Sequence, residues 1–136
     1  MKIYTSYFGN LKNIRAAGII PVSIARYSPK WFSGIKYIQA APYSYMLSEE
    51  CGREEYIRRY KGILQSLNPQ LMVETLMQIS GGSDIALLCF EKPGEFCHRH
   101  LLAAWLSENT EYDVKEFGQE KNQEEIAGEN QQLSLF

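Results

Sequence analysis

The stretch that decides the fold runs from Asp84 to Leu106 and reads DIALLCFEKPGEFCHRHLLAAWL. Its first part, Ile85 to Phe90, is a short apolar run, which predicts a buried strand. A turn containing Pro93 and Gly94 follows, and Cys97-His98-Arg99-His100 then leads into apolar residues that favour a helix. The stretch therefore predicts a strand, a tight loop and a helix, with the reactive side chains at the two joints.

The segments on either side alternate between strands and helices. Strands rich in β-branched and aromatic residues are predicted at 2–8, 19–25 and 113–117, with a weaker candidate at 35–42. Helices are predicted at 11–17 and 53–67, and another begins at Pro69 after Asn68 as its N-cap and ends at Gly81. This order predicts one three-layer α/β domain over residues 1–117, Rossmann-like or flavodoxin-like, with a mainly parallel sheet.

The composition is that of a single ordinary globular domain. The chain has 136 residues, of which 45% are hydrophobic, and a formal net charge of −2, so no basic coat supports general binding of nucleic acid. No apolar run approaches the roughly 20 residues of a membrane span, and the N-terminus lacks the apolar core of a secretory signal. Three cysteines make no disulfide framework. We expect a cytoplasmic protein with reduced thiols.

A cluster of reactive side chains is predicted where the strand and the helix of this stretch meet. Cys97 at a helix N-terminus is typical of a low-pKa nucleophile or redox thiol, and His98 or His100 could supply a base. Glu91 follows the strand end, where a carboxylate could orient or transfer a proton. Ligands of open α/β sheets bind at this end of the strands. The pattern predicts a catalytic group formed by Cys97, Glu91, His98 and Cys89.

Cationic side chains are predicted to bind the substrate at the same place. Arg99 in the helix and Arg26 at the end of the second strand carry guanidinium groups that suit a phosphate or a carboxylate. We assign His100 to the same substrate-binding set. Because Arg26 comes from a neighbouring strand, the expected site is composite.

Structural interpretations of these residues stay open. Cys89 lies inside an apolar run and could simply belong to the core, as free cysteines often do. Zinc could bind Cys89, Cys97 and a histidine, but the spacing matches no standard ligand pattern, and neither a metal nor another cofactor is predicted. Dinucleotide and P-loop motifs are absent from the sequence. Cys51 is taken as incidental.

The segment Leu87 to Glu91, followed by Cys97-His98-Arg99, resembles the bacterial family called domain of unknown function 488. The hallmark of that family is a strand ending in Cys-x-Glu and a Cys-His-Arg that opens a helix. The resemblance extends more loosely over residues 1–117; it implies an α/β fold and no established reaction, although some relatives look associated with DNA-repair-type domains. Many members have Asp-Val-Arg after the second strand, where this chain has Ile24-Ala25-Arg26 and lacks the acid.

From Gly118 onward the sequence becomes polar and acidic, which predicts a flexible tail over 118–136. The tail ends in Gln132-Leu133-Ser134-Leu135-Phe136. This peptide resembles the Gln-Leu-Ser/Asp-Leu-Phe motif by which bacterial proteins bind the DNA polymerase sliding clamp, with the last two residues filling an apolar pocket and the glutamine fixing the register. The other interpretation is that these residues pack on the domain itself.

Together these features indicate an enzyme that acts on nucleic acid or on a nucleotide-like anionic substrate and is recruited to the sliding clamp by its C-terminal peptide. One alternative is a non-catalytic adaptor at the clamp, in which the Cys-His-Arg cluster is a structural lock. Another is a cytosolic enzyme that acts on a small molecule and whose tail is irrelevant to its activity.

Overall fold

The structure, a computed structural model, describes residues 1–91 and 97–119. The predicted turn at Pro93-Gly94 and the clamp-like peptide lie outside these residues. The elements, in chain order, are β1 (Ile3–Tyr7), α1 (Leu11–Ala16), β2 (Ile20–Ser23), β3 (Ile35–Lys36), α2 (Arg53–Gln65), α3 (Pro69–Ser80), β4 (Ile85–Cys89), α4 (His98–Asn109) and β5 (Lys115–Glu116).

The five strands of the described residues form one sheet in the order β3-β2-β4-β1-β5. Every neighbouring pair is parallel. The apolar run that opened the sequence analysis is the central strand, β4, and all five of its residues are buried. The predicted α/β fold with a parallel sheet is therefore confirmed.

Helices cover both faces of the sheet. Alternate side chains of β4 point to opposite faces: Ile85 and Leu87 belong to one buried cluster, while Ala86 and Leu88 belong to the other. The first cluster includes residues of α2, α3 and α4, and the second includes residues of α1. By the same alternation Cys89 points to the face that carries α4.

The ends of two predicted strands differ from those in the structure. The strand predicted at 19–25 is only Ile20–Ser23, and the candidate at 35–42 is a two-residue strand followed by a 3₁₀ turn. Pro21 was expected at an edge or outside the ladder, and it does lie at a local edge of the sheet: it is opposite Ala86 of β4 and has no partner on the β3 side. The sheet tolerates it because β3 pairs only with the two residues that follow, so no neighbour on that side requires the missing N–H.

The helix ends follow local capping chemistry. The side chain of Asn68 accepts a hydrogen bond from the Leu71 N–H, and Pro69 occupies the first turn of α3, as predicted. Gly81 ends the helix with φ of 66°, a left-handed conformation that glycine adopts without a steric penalty. None of the helices in the described ranges is long and apolar enough to cross a membrane.

The strand order creates a crevice between β2 and β4. The chain leaves β2 toward β3 on one side, whereas it leaves β4 toward β5 on the other. Neighbouring parallel strands whose connections diverge in this way leave a gap outside their carboxyl ends, and ligands of open α/β sheets bind there. The predicted cluster of reactive residues follows these two strand ends.

Candidate functional site

A cavity of about 340 Å³ lies at the crevice between the carboxyl ends of β2 and β4. Its wall is formed by the segment after β2, the end of β4, the start of α4 and the region around the start of α2. Five residues of the predicted site contribute to this wall, namely Arg26, Cys89, Glu91, Cys97 and His98. The composite site expected from the sequence is thus a single concave surface.

Cys89 and Cys97 are joined in a disulfide. Cys89 ends β4 and Cys97 is the N-cap of α4, so the bond connects the central strand to the helix that follows it. Both residues are buried. The expectation of reduced thiols was wrong for this pair, because the fold brings together two side chains whose spacing in the sequence suggested no pairing. In this state neither sulfur is a nucleophile.

His98 stands beside the cysteine pair in a defined orientation. Its Nε2 lies 2.8 Å from the Ile24 carbonyl oxygen, and because a carbonyl only accepts, Nε2 carries the proton. Nδ1 therefore presents a lone pair, 3.6 Å from Cys97 Sγ. Burial lowers the pKa of His98 to about 4, with the Ile24 carbonyl opposing the shift and the Arg99 charge adding to it, so the ring is neutral near pH 7.

Arg99 lies behind the cavity wall and is fully buried. Its Nε and Nη2 contact the two carboxylate oxygens of Glu116 at 3.0 and 3.2 Å. Nη1 donates to Cys89 Sγ at 2.9 Å and to the backbone carbonyl of Glu91. The hydroxyl of Thr5 donates to Glu116 at 2.7 Å. Arg99 does not line the cavity, so the predicted direct contact with substrate does not fit its position.

Arg26, in the segment that follows β2, is one of two arginines that line the cavity, the other being Arg53. Its Nε donates to the Pro42 carbonyl at 2.9 Å and its Nη2 to the Ala41 carbonyl at 3.4 Å. Within residues 1–91 and 97–119, no hydrogen bond engages Nη1. The two carbonyls hold the guanidinium in place, half-buried, where it can meet an anion.

Glu91 and His100 differ in their relation to the cavity. Glu91 lines it, half-buried, and its carboxylate helps to raise the pKa of Tyr56, for which burial is the larger cause. His100 sits in the first turn of α4 and does not line the cavity. Burial, followed by the charge of Arg99, lowers the pKa of His100. The structure thus places His100, like Arg99, outside the cavity lined by the other predicted site residues.

Several residues in or behind the cavity wall were not predicted. Cys51, set aside as incidental, lines the cavity together with Arg53 and Tyr56, and it is a free thiol. Tyr60 packs edge-on against His98, with ring centroids 5.2 Å apart, and donates to the Ala40 carbonyl at 2.7 Å. In the sequence these residues are part of a loop and an amphipathic helix, and nothing in their spacing links them to Cys97.

One family model matches the chain. Residues 38–110 match the model of DUF488-N3a, described as the active DUF488-N3 subclade. The match covers α2, α3, β4 and all of α4, and so includes the Cys-His-Arg sequence. No curated protein and no solved structure matches the chain at a significant level.

Proposed function

The chain belongs to the DUF488 family, and from that premise we propose that it is an enzyme that binds a nucleotide-like anionic substrate in the cavity and acts on it with the cysteine-histidine cluster. One observation carries the proposal. Two cysteines, an oriented histidine, a carboxylate and a fixed arginine share one wall at the crevice between β2 and β4. Such convergence of polar groups in a concave site is typical of an active site.

We assign the reacting atom to Cys97 in the reduced protein. Cys97 is the N-cap of α4, where the partial positive charge of a twelve-residue helix stabilises an anion. The lone pair on Nδ1 of His98 lies 3.6 Å from its sulfur, so the neutral ring can accept a hydrogen bond from the thiol and orient it. Reduction of the disulfide is a precondition, because only a free thiol can react in this way.

Arg99 acts on Cys89 as a positioning residue in this proposal. Its Nη1 points at the sulfur, and a guanidinium hydrogen bond favours the thiolate form of a cysteine. The carboxylate of Glu116 holds the guanidinium from the other side. The two residues keep the end of β4 and the start of α4 at a fixed separation, which sets the distance between the two sulfurs.

Arg26 and Glu91 complete the proposed site. Arg26 is fixed by two carbonyls and contributes a charge-assisted hydrogen bond to a phosphate or carboxylate. Glu91 lines the same cavity, where a carboxylate can take or return a proton. A volume of about 340 Å³ suits a mononucleotide or a single extruded nucleotide better than a stretch of duplex.

We propose that the C-terminal peptide Gln132 to Phe136 recruits this activity to the sliding clamp. It lies outside the described residues, so its support is the five-position agreement with the clamp-binding motif. A short peptide with apolar anchors binds a preformed groove, and a tether keeps the attached domain at a raised effective concentration near its target. Delivery to the sliding clamp would compensate for the net charge of −2, which gives little general affinity for DNA.

The thiol assignment is tested by alkylation of the reduced, metal-free, full-length protein. Iodoacetamide modification is followed by mass spectrometry at Cys97, with the free thiol Cys51 in the same cavity as the internal comparison. We expect Cys97 to react faster than Cys51 near neutral pH and nucleoside monophosphates to slow its reaction. Cys97 that reacts more slowly than Cys51, with no protection by any nucleotide, refutes the assignment.

A second candidate function is a non-catalytic adaptor at the clamp. The observation that favours it is the buried network of Arg99, Glu116 and Cys89, which fixes the end of β4 against the start of α4. An adaptor predicts that Cys97→Ser loses stability, retains clamp binding and has no effect on any ligand in the cavity. The enzyme proposal predicts protection of Cys97 by nucleotide, which an adaptor does not require.

A further inference from the structure

We propose that Cys89, Cys97 and His98, once both cysteines are reduced, form a binding site for one Zn²⁺ ion whose fourth coordination position faces the cavity. The inference rests on the proposed function for its cavity and substrate, and it describes a zinc-bound form of the site in which Cys97 and His98 are ligands, as the alternative to the metal-free form in which Cys97 is a free thiol. The zinc site is inferred from the positions of three ligand atoms and the residues around them, and from no enzymatic activity.

The three ligand atoms are already close together. Cys89 Sγ, Cys97 Sγ and His98 Nδ1 all lie within 4.8 Å of one another, and all three residues are buried. A tetrahedral zinc ion with Zn–S of about 2.3 Å and Zn–N of about 2.0 Å separates a sulfur and a nitrogen ligand by about 3.5 Å. The observed distance from Cys97 Sγ to His98 Nδ1 is 3.6 Å. One edge of the coordination tetrahedron is therefore present.

The histidine is oriented as a zinc ligand requires. A metal-bound histidine usually donates its second ring N–H to a carboxylate or a backbone carbonyl, which fixes the tautomer and the ring plane. His98 does this with Ile24, at the end of β2. Tyr60 packs edge-on against the ring and restricts its rotation. The lone pair of Nδ1 is left facing the two sulfurs.

The surroundings of the sulfurs suit a metal-bound thiolate. Arg99 donates to Cys89 Sγ at 2.9 Å, and hydrogen bonds to ligand atoms of this kind tune metal sites. Two thiolates and one imidazole form the ligand set of a borderline-soft ion such as Zn²⁺. Glu91 shares the cavity but is not part of the three-residue cluster. Three protein ligands and one position open to a cavity are typical of a catalytic zinc rather than a structural one.

The spacing of the two cysteines fits ligands of a shared ion. Their Cα atoms are 7.3 Å apart, beyond the roughly 4.4–6.8 Å that is usual for disulfides. Two sulfurs bound to one zinc ion are about 3.8 Å apart, so the two reduced side chains separate when the ion binds. A zinc site was not predicted from the sequence, because cysteines eight positions apart match no standard ligand pattern. The fold nevertheless brings the two side chains together in space.

Zinc enters the site in two steps, reduction of the disulfide and binding of the ion. A phosphine reductant gives two electrons to the disulfide and takes oxygen from one water, yielding a phosphine oxide and two thiols. Zn²⁺ then displaces both thiol protons to solvent and binds the two thiolates and His98. The oxidised protein retains only one of the three ligands and is not expected to bind.

The experiment titrates the phosphine-reduced, full-length protein with Zn²⁺ against a chromophoric chelator, and with Co²⁺ as a spectroscopic substitute. We expect one ion per chain and sulfur-to-cobalt charge-transfer absorption from two thiolates. Cys89→Ser and Cys97→Ser should each halve that absorption and weaken zinc binding by at least about 100-fold, and His98→Ala should weaken binding similarly. The matched control is Cys51→Ser, a change at the free thiol of the same cavity, which should bind zinc unchanged.

Several outcomes overturn the zinc site. They are absence of sulfur-to-cobalt absorption in the reduced wild-type protein, equal binding by the oxidised protein, and loss of binding in Cys51→Ser. The wild-type comparison needs no substitution, so it decides the question even if a variant fails to fold. Zinc binding without nucleotide protection of Cys97 refutes the proposed substrate alone, whereas protection without zinc binding refutes the metal site alone.

Discussion

Arg99 donates a hydrogen bond to Cys89 Sγ at 2.9 Å while the other side of its guanidinium is held by Glu116. The arginine is fully buried and the glutamate nearly so. The link joins the last residue of β4, the first turn of α4 and the edge strand β5. The geometry of the cysteine pair therefore depends on a charge pair that no solvent screens.

Breaking this charge pair should destabilise the fold strongly. Arg99→Met leaves the Glu116 carboxylate buried without its cation, which costs about 3–5 kcal/mol in comparable sites. The free energy of unfolding is measured by urea denaturation followed by circular dichroism. The matched control is Arg59→Met, which removes an exposed ion pair with Glu55 and should change stability little. Equal effects of the two substitutions contradict the structural role assigned to Arg99.

The cap of α3 should contribute measurably to stability. Asn68→Ala removes the side-chain acceptor for the Leu71 N–H and should lower the free energy of unfolding by about 1 kcal/mol. Asn68→Asp keeps an acceptor at the same position and should retain most of the stability. Urea denaturation of both variants tests this, and an unchanged free energy of unfolding in Asn68→Ala is incompatible with the observed cap.

The hydroxyl of Tyr60 should matter more than an exposed tyrosine hydroxyl. Tyr60→Phe keeps the ring against His98 but leaves the buried Ala40 carbonyl without its donor, which costs about 1–3 kcal/mol. The control is Tyr27→Phe, since that side chain is 62% exposed and its hydroxyl can exchange its partner for water. Thermal unfolding of the pair separates the two cases; comparable melting temperatures would be the contrary result.

Arg26 should determine the affinity of the cavity for anions. Hydrogen bonds to charged groups contribute about 1.5–3 kcal/mol, so Arg26→Gln should weaken binding of a nucleoside monophosphate by about tenfold or more. Isothermal titration calorimetry of the reduced protein measures this change. Arg15→Gln removes a cation from α1, outside this cavity, and should bind as the wild-type protein does. If both substitutions weaken binding equally, the effect is one of net charge and not of the site.

The C-terminal peptide should carry nearly all affinity for the sliding clamp. Phe136→Ala removes an apolar anchor, and anchors of this kind typically contribute at least about 2 kcal/mol, or about 30-fold in affinity. Surface plasmon resonance on a purified bacterial clamp provides the measurement. Ser134→Asp is the conservative control, because the motif accepts either residue at that position. Undiminished binding by Phe136→Ala shows that the tail is not the docking segment.

Local patterns in the sequence predicted most of the fold. The apolar run of β4, the helical spacing in α2 and the Asn68-Pro69 cap each depend on interactions within a few residues, and each appears in the structure. The length of β3 was overestimated. Its two residues pair with β2, and the apolar segment that follows forms a 3₁₀ helix instead of continuing as a strand. The residues at which a strand begins and ends depend on the strand with which it pairs, and the local sequence does not contain that partner.

Five of the seven residues predicted for the site line one cavity, and their arrangement could not be predicted from the sequence. Cys89, Cys97, His98, Glu91 and Arg26 meet because strand ends of a parallel sheet converge. The burial of Arg99 was not predictable from its own helix, because its partner Glu116 lies 17 positions later in an edge strand. Cys51 enters the cavity wall through the tertiary packing of the region before α2, which leaves no periodic trace in the sequence.

The pairing of β1 has a consequence for how the protein is made. Among the described residues this strand pairs with β4 and β5, with Ile3 opposite Ile85 and Tyr4 opposite Lys115. A ribosome that adds about 5–20 residues per second needs roughly 4–16 s to pass from Ile3 to Ile85. Throughout that interval β1 is an unpaired strand edge that other nascent chains can capture. Yield in the cell should therefore respond to chaperone supply and growth temperature.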